Sequence, residues 1–348
     1  MLETLVGRWL TAVLLLGCAA AAVGAQQVAR VEMPAGWADA HAAALRWLAA
    51  QQRADGSWLP PKRDASERGV VLATTALALL ALHSGGSTMR AGPHKVAIRS
   101  GVVLLRDLQD QVGWFDGPGP VRLEVQALAS LATAVAATEA KSRTVERQMR
   151  NGSSAIATGL PAENLPADRS FATALSLIAA RRCLAAVDDA AVKPWAEGLQ
   201  RELAKRVLPT SLVGSSTPLP FRGPLADTRE MESLAALMAL RGAVPAGELL
   251  PAPRAQWLVN SLARWGDRGE LVDGFTVWFT ADLAAGVPAI WPDVERAISK
   301  RLLPRQITDG ADAGRCSFDC GFAFLDSAIA DTALLALALA TPVFAVGR

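Results

Sequence analysis

The chain has 348 residues, of which 51% are hydrophobic and 20% charged, with a net charge of +2 and no tyrosine. Such an apolar fraction excludes a disordered chain, and apolar content dominated by Ala, Leu and Val points to helices rather than an all-β fold. The near-balanced charge leaves no electrostatic basis for binding nucleic acid.

Residues 1–25 read as a targeting segment. Glu3 and Arg8 precede an apolar stretch from Trp9 to Leu16, and Val23 and Ala25 supply small residues for cleavage before Gln26. Two alternatives stay open. Leu15-Leu16-Gly17-Cys18 fits a loose lipobox that would acylate Cys18, and 9–25 is just long enough for an uncleaved anchor. Each predicts a main body, 36–348, that is exported, in the periplasm or at the cell envelope, with association to a membrane surface as a further expectation.

Twelve segments follow, amphipathic and wholly apolar in alternation. Ala38–Gln52 (amphipathic) precedes Ala73–Leu82 (apolar), Lys95–Gln111 precedes Glu124–Ala134, and Arg143–Ala155 precedes Phe171–Ala180. Lys193–Val207 then precedes Met231–Leu240, Pro253–Trp265 precedes Phe275–Ala285, and Pro292–Leu303 precedes Ile329–Leu339. Within the third amphipathic segment, Asn151-Gly152 reads as a break. Aligning Thr75, Gln126, Thr173, Ser233, Thr280 and Thr332 gives a repeat of roughly 50 residues.

A helix that is apolar on all sides must be buried on most of them. Six such helices ringed by six amphipathic ones describe a closed double ring, an all-α (α/α)6 toroid. The Pro- and Ser-rich stretch 208–226 reads as a surface loop, because the pattern continues on both sides of it. Cys183, Cys316 and Cys320 remain in the body, an odd number. Cys316 and Cys320 could close a small loop by disulfide or stay as semi-buried thiols.

Gln52 to Trp58, "QRADGSW", resembles the QxxxGxW repeat of squalene cyclases and related prenyltransferases, through Gln52, Gly56 and Trp58. Gln109, Gly113 and Trp114 form a shortened variant, and "QITDGAD" from Gln306 keeps Gln and Gly but has Asp312 where Trp is expected. The resemblance implies the same toroid, with these motifs tying an outer helix to its neighbour, a structural role and not a chemical one.

The family's catalytic motifs are missing. There is no DxDD, the motif that protonates the substrate in class II cyclases; Asp188-Asp189 is the only adjacent Asp pair, and it falls between helices. Neither DDxxD nor the thioester CGEQ occurs. Asp273 resembles the first zinc ligand of protein prenyltransferases, but Phe275 stands where Cys is needed, and His41, His83 and His94 all lie in the first third. No metal and no cofactor are therefore expected.

Glycan-processing enzymes use the same barrel and need two carboxylates about 5–9.5 Å apart. Glu124, Asp227, Asp273, Asp282, Asp326 and Asp331 lie at or inside the inner segments. Sugar sites also need aromatic platforms, and the inner segments offer only Phe171, Phe275, Trp278 and Phe279.

Charges also gather at the starts of the inner segments. Arg68, Arg122 and Arg169 mark the first three, and Asp227 with Arg229, Asp273, Asp326 and Asp331 the later ones. Acids there are ordinary helix capping, and Glu67, Glu124 and Asp168 could pair with the arginines. The functional alternative is a polarised mouth in which Arg68, Arg122, Arg169 and Arg229 hold a polar head group above an aliphatic cavity. Glu124, Asp227, Asp273 and Asp331 are its candidates for chemistry. The expected partner is a hydrophobic small molecule or another protein; a divergent terpenoid cyclase and a glycan hydrolase or lyase are the enzymatic alternatives.

Overall fold

The computed structural model describes residues 33–59, 67–117, 121–162, 170–187, 189–207, 229–241, 274–317 and 327–344, with positions 119, 243–244, 249–251, 254–256, 258–259 and 325. The described residues are helical apart from turns and a single isolated bridge between Arg241 and Val244.

The outer helices are α1 (Trp37–Ala50), α3 (Lys95–Leu108), α5 (Arg143–Gly159), α7 (Val192–Val207) and α10 (Trp291–Ala297). A π-turn, Ile298–Leu302, and a short 3-10 turn, Leu303–Arg305, continue α10. Helical fragments at 254–256 and 258–259 fall inside the predicted fifth outer segment. The inner helices are α2 (Arg68–Ser84), α4 (Arg122–Ala140), α6 (Ser170–Ala186), α8 (Arg229–Leu240), α9 (Gly274–Ala284) and α11 (Ala328–Phe344).

Each inner helix packs on two others: α2 on α4, α4 on α6, α6 on α8, α8 on α9, α9 on α11, and α11 back on α2. The ring is closed, and the chain is an (α/α)6 toroid. Closure explains the composition of the inner helices. In α2 every residue from Val70 to His83 is buried, so there is no water-facing side to make polar. Outer helices α3 and α5 instead bury one stripe each, Ala97, Ile98, Gly101, Val102 and Leu105 in α3.

Three Gln–Gly loops stitch the outer ring. Gln52 donates from Nε2 to the carbonyls of Gly56 (3.0 Å) and of Ala97 on α3 (2.9 Å). Gln109 does the same to Gly113 (3.1 Å) and to Gln148 on α5 (3.0 Å). Gln306 donates to Gly314 (3.0 Å) and to Ala40 on α1 (2.9 Å), so the third loop joins the last outer helix to the first. The glycines have φ of 89°, 99° and 98°. A Cβ at Gly56, Gly113 or Gly314 would lie 2.6, 2.2 or 2.1 Å from the carbonyl oxygen of Ser100, Asn151 or Ala43. Only glycine meets both demands, left-handed backbone and backbone contact.

The aligned polar position of the repeat serves these loops. Thr75 and Thr332 accept from the backbone N–H of Trp58 (3.2 Å) and Cys316 (2.9 Å), and Gln126 accepts from that of Phe115 (2.9 Å). A polar residue inside an otherwise apolar helix is thus a cap for the loop beside it.

Two expectations need correction. Asn151-Gly152 does not break α5, which runs on to Gly159. Gly152 is there because a Cβ would sit 2.8 Å from Ser130 Oγ and 3.3 Å from the Phe115 ring. In the third loop the glycine that acts is Gly314 and not Gly310, and Asp312 accepts from Nε1 of Trp47 (3.2 Å) on the far side of the seam. Trp37 reinforces that seam, donating to Ser299 Oγ (2.8 Å) and meeting Trp291 edge-on at 5.7 Å.

Candidate functional site

A cavity of about 420 Å³ lies on the toroid axis, and all six inner helices wall it. Leu80, Leu131, Val135, Ile178, Met238, Trp278 and Leu337 supply apolar wall. His83, Ser84, Thr138, Glu139, Arg182, Asp282 and Thr341 supply the polar part. These residues run from the middle of each inner helix to its C-terminal end.

The repeat register explains the wall. Leu80, Leu131, Ile178, Met238 and Leu337 each stand five places beyond the aligned position of their helix, and Ser84, Val135, Arg182 and Thr341 stand nine places beyond it. In α9 the same spacing to Trp278 and Asp282 is met only by counting from two turns ahead of Thr280, so the alignment at Thr280 is out of register. The position that fits, 273, is outside the described residues.

Nearer the starts of the inner helices the axis is filled. Phe171 on α6 meets Phe275 on α9 at 5.2 Å between centroids and Phe279 at 6.2 Å. Helix α8 separates α6 from α9 in the ring, so these rings meet across the interior. Trp278 meets Phe279 at 5.1 Å with the rings tilted by 35°, and links this plug to the cavity wall. The predicted aromatics of the inner helices are therefore mostly core; Trp278 alone of the four lines the cavity.

Most polar groups of the wall are held by the protein. Asp282 is paired at 2.6 Å with Arg241, whose guanidinium also reaches the Asp282 carbonyl. Arg182 is engaged as well. Thr138 and Thr341 donate back to Ala134 and Leu337 in their own helices. Ser84 donates to the Ala81 carbonyl (2.6 Å) and lies 3.0 Å from Nε2 of His41.

With its proton on Ala81, Ser84 receives a hydrogen bond from His41, the reverse of an activated nucleophile. Burial, and then the nearby His94, hold the His41 pKa down to about 4, so the ring is neutral near pH 7. His83 differs from these groups. Its Nδ1 lies 3.1 Å from Glu139 Oε2, while Nε2 is buried with no hydrogen-bond partner.

The candidate residues of the sequence fall elsewhere. Arg68 reaches from the start of α2 to the carbonyls of Phe115 (2.9 Å) and Leu108, tying down the second Gln–Gly loop. The Arg122 guanidinium stacks on Trp114, 3.5 Å from the ring centroid. Glu124 is half-buried near the start of α4 and engaged, and Asp331 is buried in the first turn of α11. None of these four lines the cavity, which is walled from the opposite halves of the inner helices. Arg229 opens α8, with its side chain outside the description, and Arg169, Asp227, Asp273 and Asp326 are outside the described residues.

Of the six carboxylates considered for glycan chemistry, Asp282 reaches the cavity, and Glu139 joins it there without having been foreseen. Among the described residues no cluster of three or more His, Cys, Asp or Glu is arranged to hold a metal ion, and no helix is long and apolar enough to cross a membrane. Cys183 and Cys316 are free, buried thiols, so Cys316 is not in a loop disulfide; Cys320 and Cys18 lie outside the described residues.

No family model matches the sequence, and no curated protein matches it. Solved structures do match. The GH76A α-1,6-mannanase of Salegentibacter sp. HEL1_6 aligns with TM-score 0.60 and 10% identity over 88% of this chain and 99% of its own. A type II terpene cyclase from Scytonema, in complex with geranylgeranyl dihydroxybenzoate, aligns with TM-score 0.55 and 16% identity over 89% and 97%. The GH76 α-mannanase BT2949 of Bacteroides thetaiotaomicron aligns with TM-score 0.52 and 9% identity over 91% and 98%. All share the (α/α)6 toroid, and at these identities the likeness is one of fold.

Proposed function

We propose that the chain is an exported toroid of the prenyltransferase and squalene cyclase repeat type that binds a hydrophobic small molecule in its axial cavity. One observation carries the reading. The cavity is walled by apolar side chains from all six inner helices, at a repeated register, with the charged groups gathered towards the helix ends. Its volume of about 420 Å³ falls in the range of small-molecule sites. The three Gln–Gly loops support the repeat type, and residues 1–25 support export.

Binding rather than catalysis is favoured by how the wall's polar groups are used. Asp282 is neutralised by Arg241, and Ser84 is a hydrogen-bond acceptor from a neutral His41. Native mass spectrometry of the protein purified from its own cell envelope tests the reading. A co-purifying apolar molecule is expected; an empty protein that also takes up no added apolar molecule would contradict it. The same spectra give the mature N-terminus, expected at Gln26.

A second reading, glycan hydrolysis, is favoured by Glu139 and Asp282 lying on the wall of one cavity. Against it, Trp278 is the one aromatic platform on that wall among the described residues. The mannanase from Salegentibacter is also known as an inactive variant with two neighbouring aspartates replaced by asparagine. Asp189, half of this chain's only Asp pair, instead caps α7 through the N–H groups of Ala191 (3.0 Å) and Val192 (3.3 Å) and faces Arg150. Release of sugar from α-1,6-linked mannan, abolished by Glu139→Gln, would establish this second reading.

A further inference from the structure

We propose that the protein docks on an anionic lipid bilayer through the basic corners where α2 turns into α3 and α4 into α5, with the cavity's open end towards the lipid. The docking surface stands on its own observations. That an apolar ligand then enters from the bilayer rests on the cavity reading above.

The chain path places these corners beside the cavity. Ser84 ends α2, Thr138 and Glu139 lie in the last turn of α4, and all three are on the cavity wall. Thr138 and Glu139 are also exposed, which puts the cavity's opening at this end. From here the chain reaches α3 through residues 85–94, and α5 through Lys141 and Ser142 alone. The starts of both outer helices therefore flank the opening.

Both starts are basic. Arg90, Lys95 and Arg99 are exposed at the first corner, and no acidic residue occurs between Glu67 and Asp107. Lys141, Arg143 and Arg147 are exposed at the second, where the acids are Glu146 and Glu139, the latter in contact with His83. Among the described residues these six cations form no ion pair.

Helix stability does not call for them. A cation in the first turn opposes the helix dipole, and Lys95 with Arg99, like Arg143 with Arg147, sets like charges one turn apart. Two other outer helices that start at this end, α1 and α10, carry Asp39 and Asp293 in the first turn, as the dipole favours. The cations of α3 and α5 are offset when an anion is brought to them from outside.

An aliphatic side chain stands among these charges. Val96, next to Lys95, is 69% exposed, and Val103 follows two turns on along the same face of α3. Exposed apolar side chains set among cations match the surface of an anionic bilayer. There the cations meet lipid phosphate while the side chain enters the headgroup layer. A soluble polyanion would satisfy the cations and leave Val96 in water.

The test is co-sedimentation of the full protein with two kinds of vesicle, phosphatidylcholine alone and phosphatidylcholine with phosphatidylglycerol in equal parts. The anionic vesicles should bind at least about ten-fold more tightly at low salt, and added salt should erode the difference. Lys95→Glu with Arg143→Glu should abolish the preference. Arg53→Glu with Lys205→Glu makes the same change in net charge at the other end of the toroid, and should keep it. Solution binding of N-phenyl-1-naphthylamine by each variant reports the fold and the cavity separately.

Equal binding to both vesicles would overturn the proposal, since apolar contact alone would then hold the protein. Equal loss in the two double variants would overturn it in favour of net charge. Dye binding without vesicle binding would overturn the docking, turn the patch towards an acidic protein, and leave the cavity reading standing. Selective vesicle binding without dye binding would uphold the docking and overturn the cavity reading.

Discussion

Gln306, just after the last outer helix, and Ala40, in the first, are joined by a 2.9 Å hydrogen bond from side-chain Nε2 to backbone carbonyl. That bond closes the outer ring, as the contact of α11 with α2 closes the inner one. A ring needs its last joint as much as its first.

Gln306→Ala should therefore destabilise the fold by about 1–3 kcal/mol, since it removes two part-buried hydrogen bonds, to the carbonyls of Ala40 and Gly314. Gly314→Ala should cost more, at least about 3 kcal/mol, because strain at positive φ adds to a backbone clash. Gly310→Ala is the control: its φ is 77°, yet nothing lies within 4 Å of the added Cβ. It should cost only about 1–2 kcal/mol. Urea denaturation of the three variants checks this order.

Stability should fall with pH through the titration of His41. Its pKa is lowered from 6.5 to about 4 in the fold, by burial first and then by His94. The unfolded chain thus binds the proton more tightly than the folded one. The contribution is full above pH 6.5 and is lost as pH falls from there to about 4. The loss reaches about 3 kcal/mol. Wild type compared with His41→Gln, unfolded by urea at a series of pH values, isolates it from the carboxylates: the variant should lose this part of the slope.

Cys316 should be inert in the native protein. Burial, and then the charge of Asp331, push its thiol up to about 12, and Cys183 is also raised, chiefly by burial. Thiolate is the reactive form. Peptide mapping after brief iodoacetamide treatment should find neither residue labelled in the native state and both labelled in urea.

The double ring was legible because a helix buried on every side must be apolar on every side, and "TTALALLAL" and "DTALLALAL" show that directly. The first two stitching loops were legible through Gln52, Gly56, Gln109 and Gly113. The third was half hidden, since Gly314 lies farther from Gln306 and its tryptophan comes from α1. The cavity was not foreseen at its true end. Arg68 and Arg122 drew notice as charges at helix starts, where the dipole disfavours them, but that cost is met by backbone carbonyls and by the face of Trp114. His83 and Glu139 looked unremarkable, being polar residues in last turns. Their pairing joins residues 56 positions apart, which local pattern does not report.

The most direct test of the central claim is binding of a neutral apolar dye, N-phenyl-1-naphthylamine, to wild type and to Val135→Trp. Val135 is on the cavity wall, and an indole there would occupy the space a ligand needs. Saturable binding to wild type is expected, weakened at least about ten-fold in Val135→Trp with stability kept or raised. Binding that Val135→Trp leaves unchanged, or no binding by wild type, would contradict it.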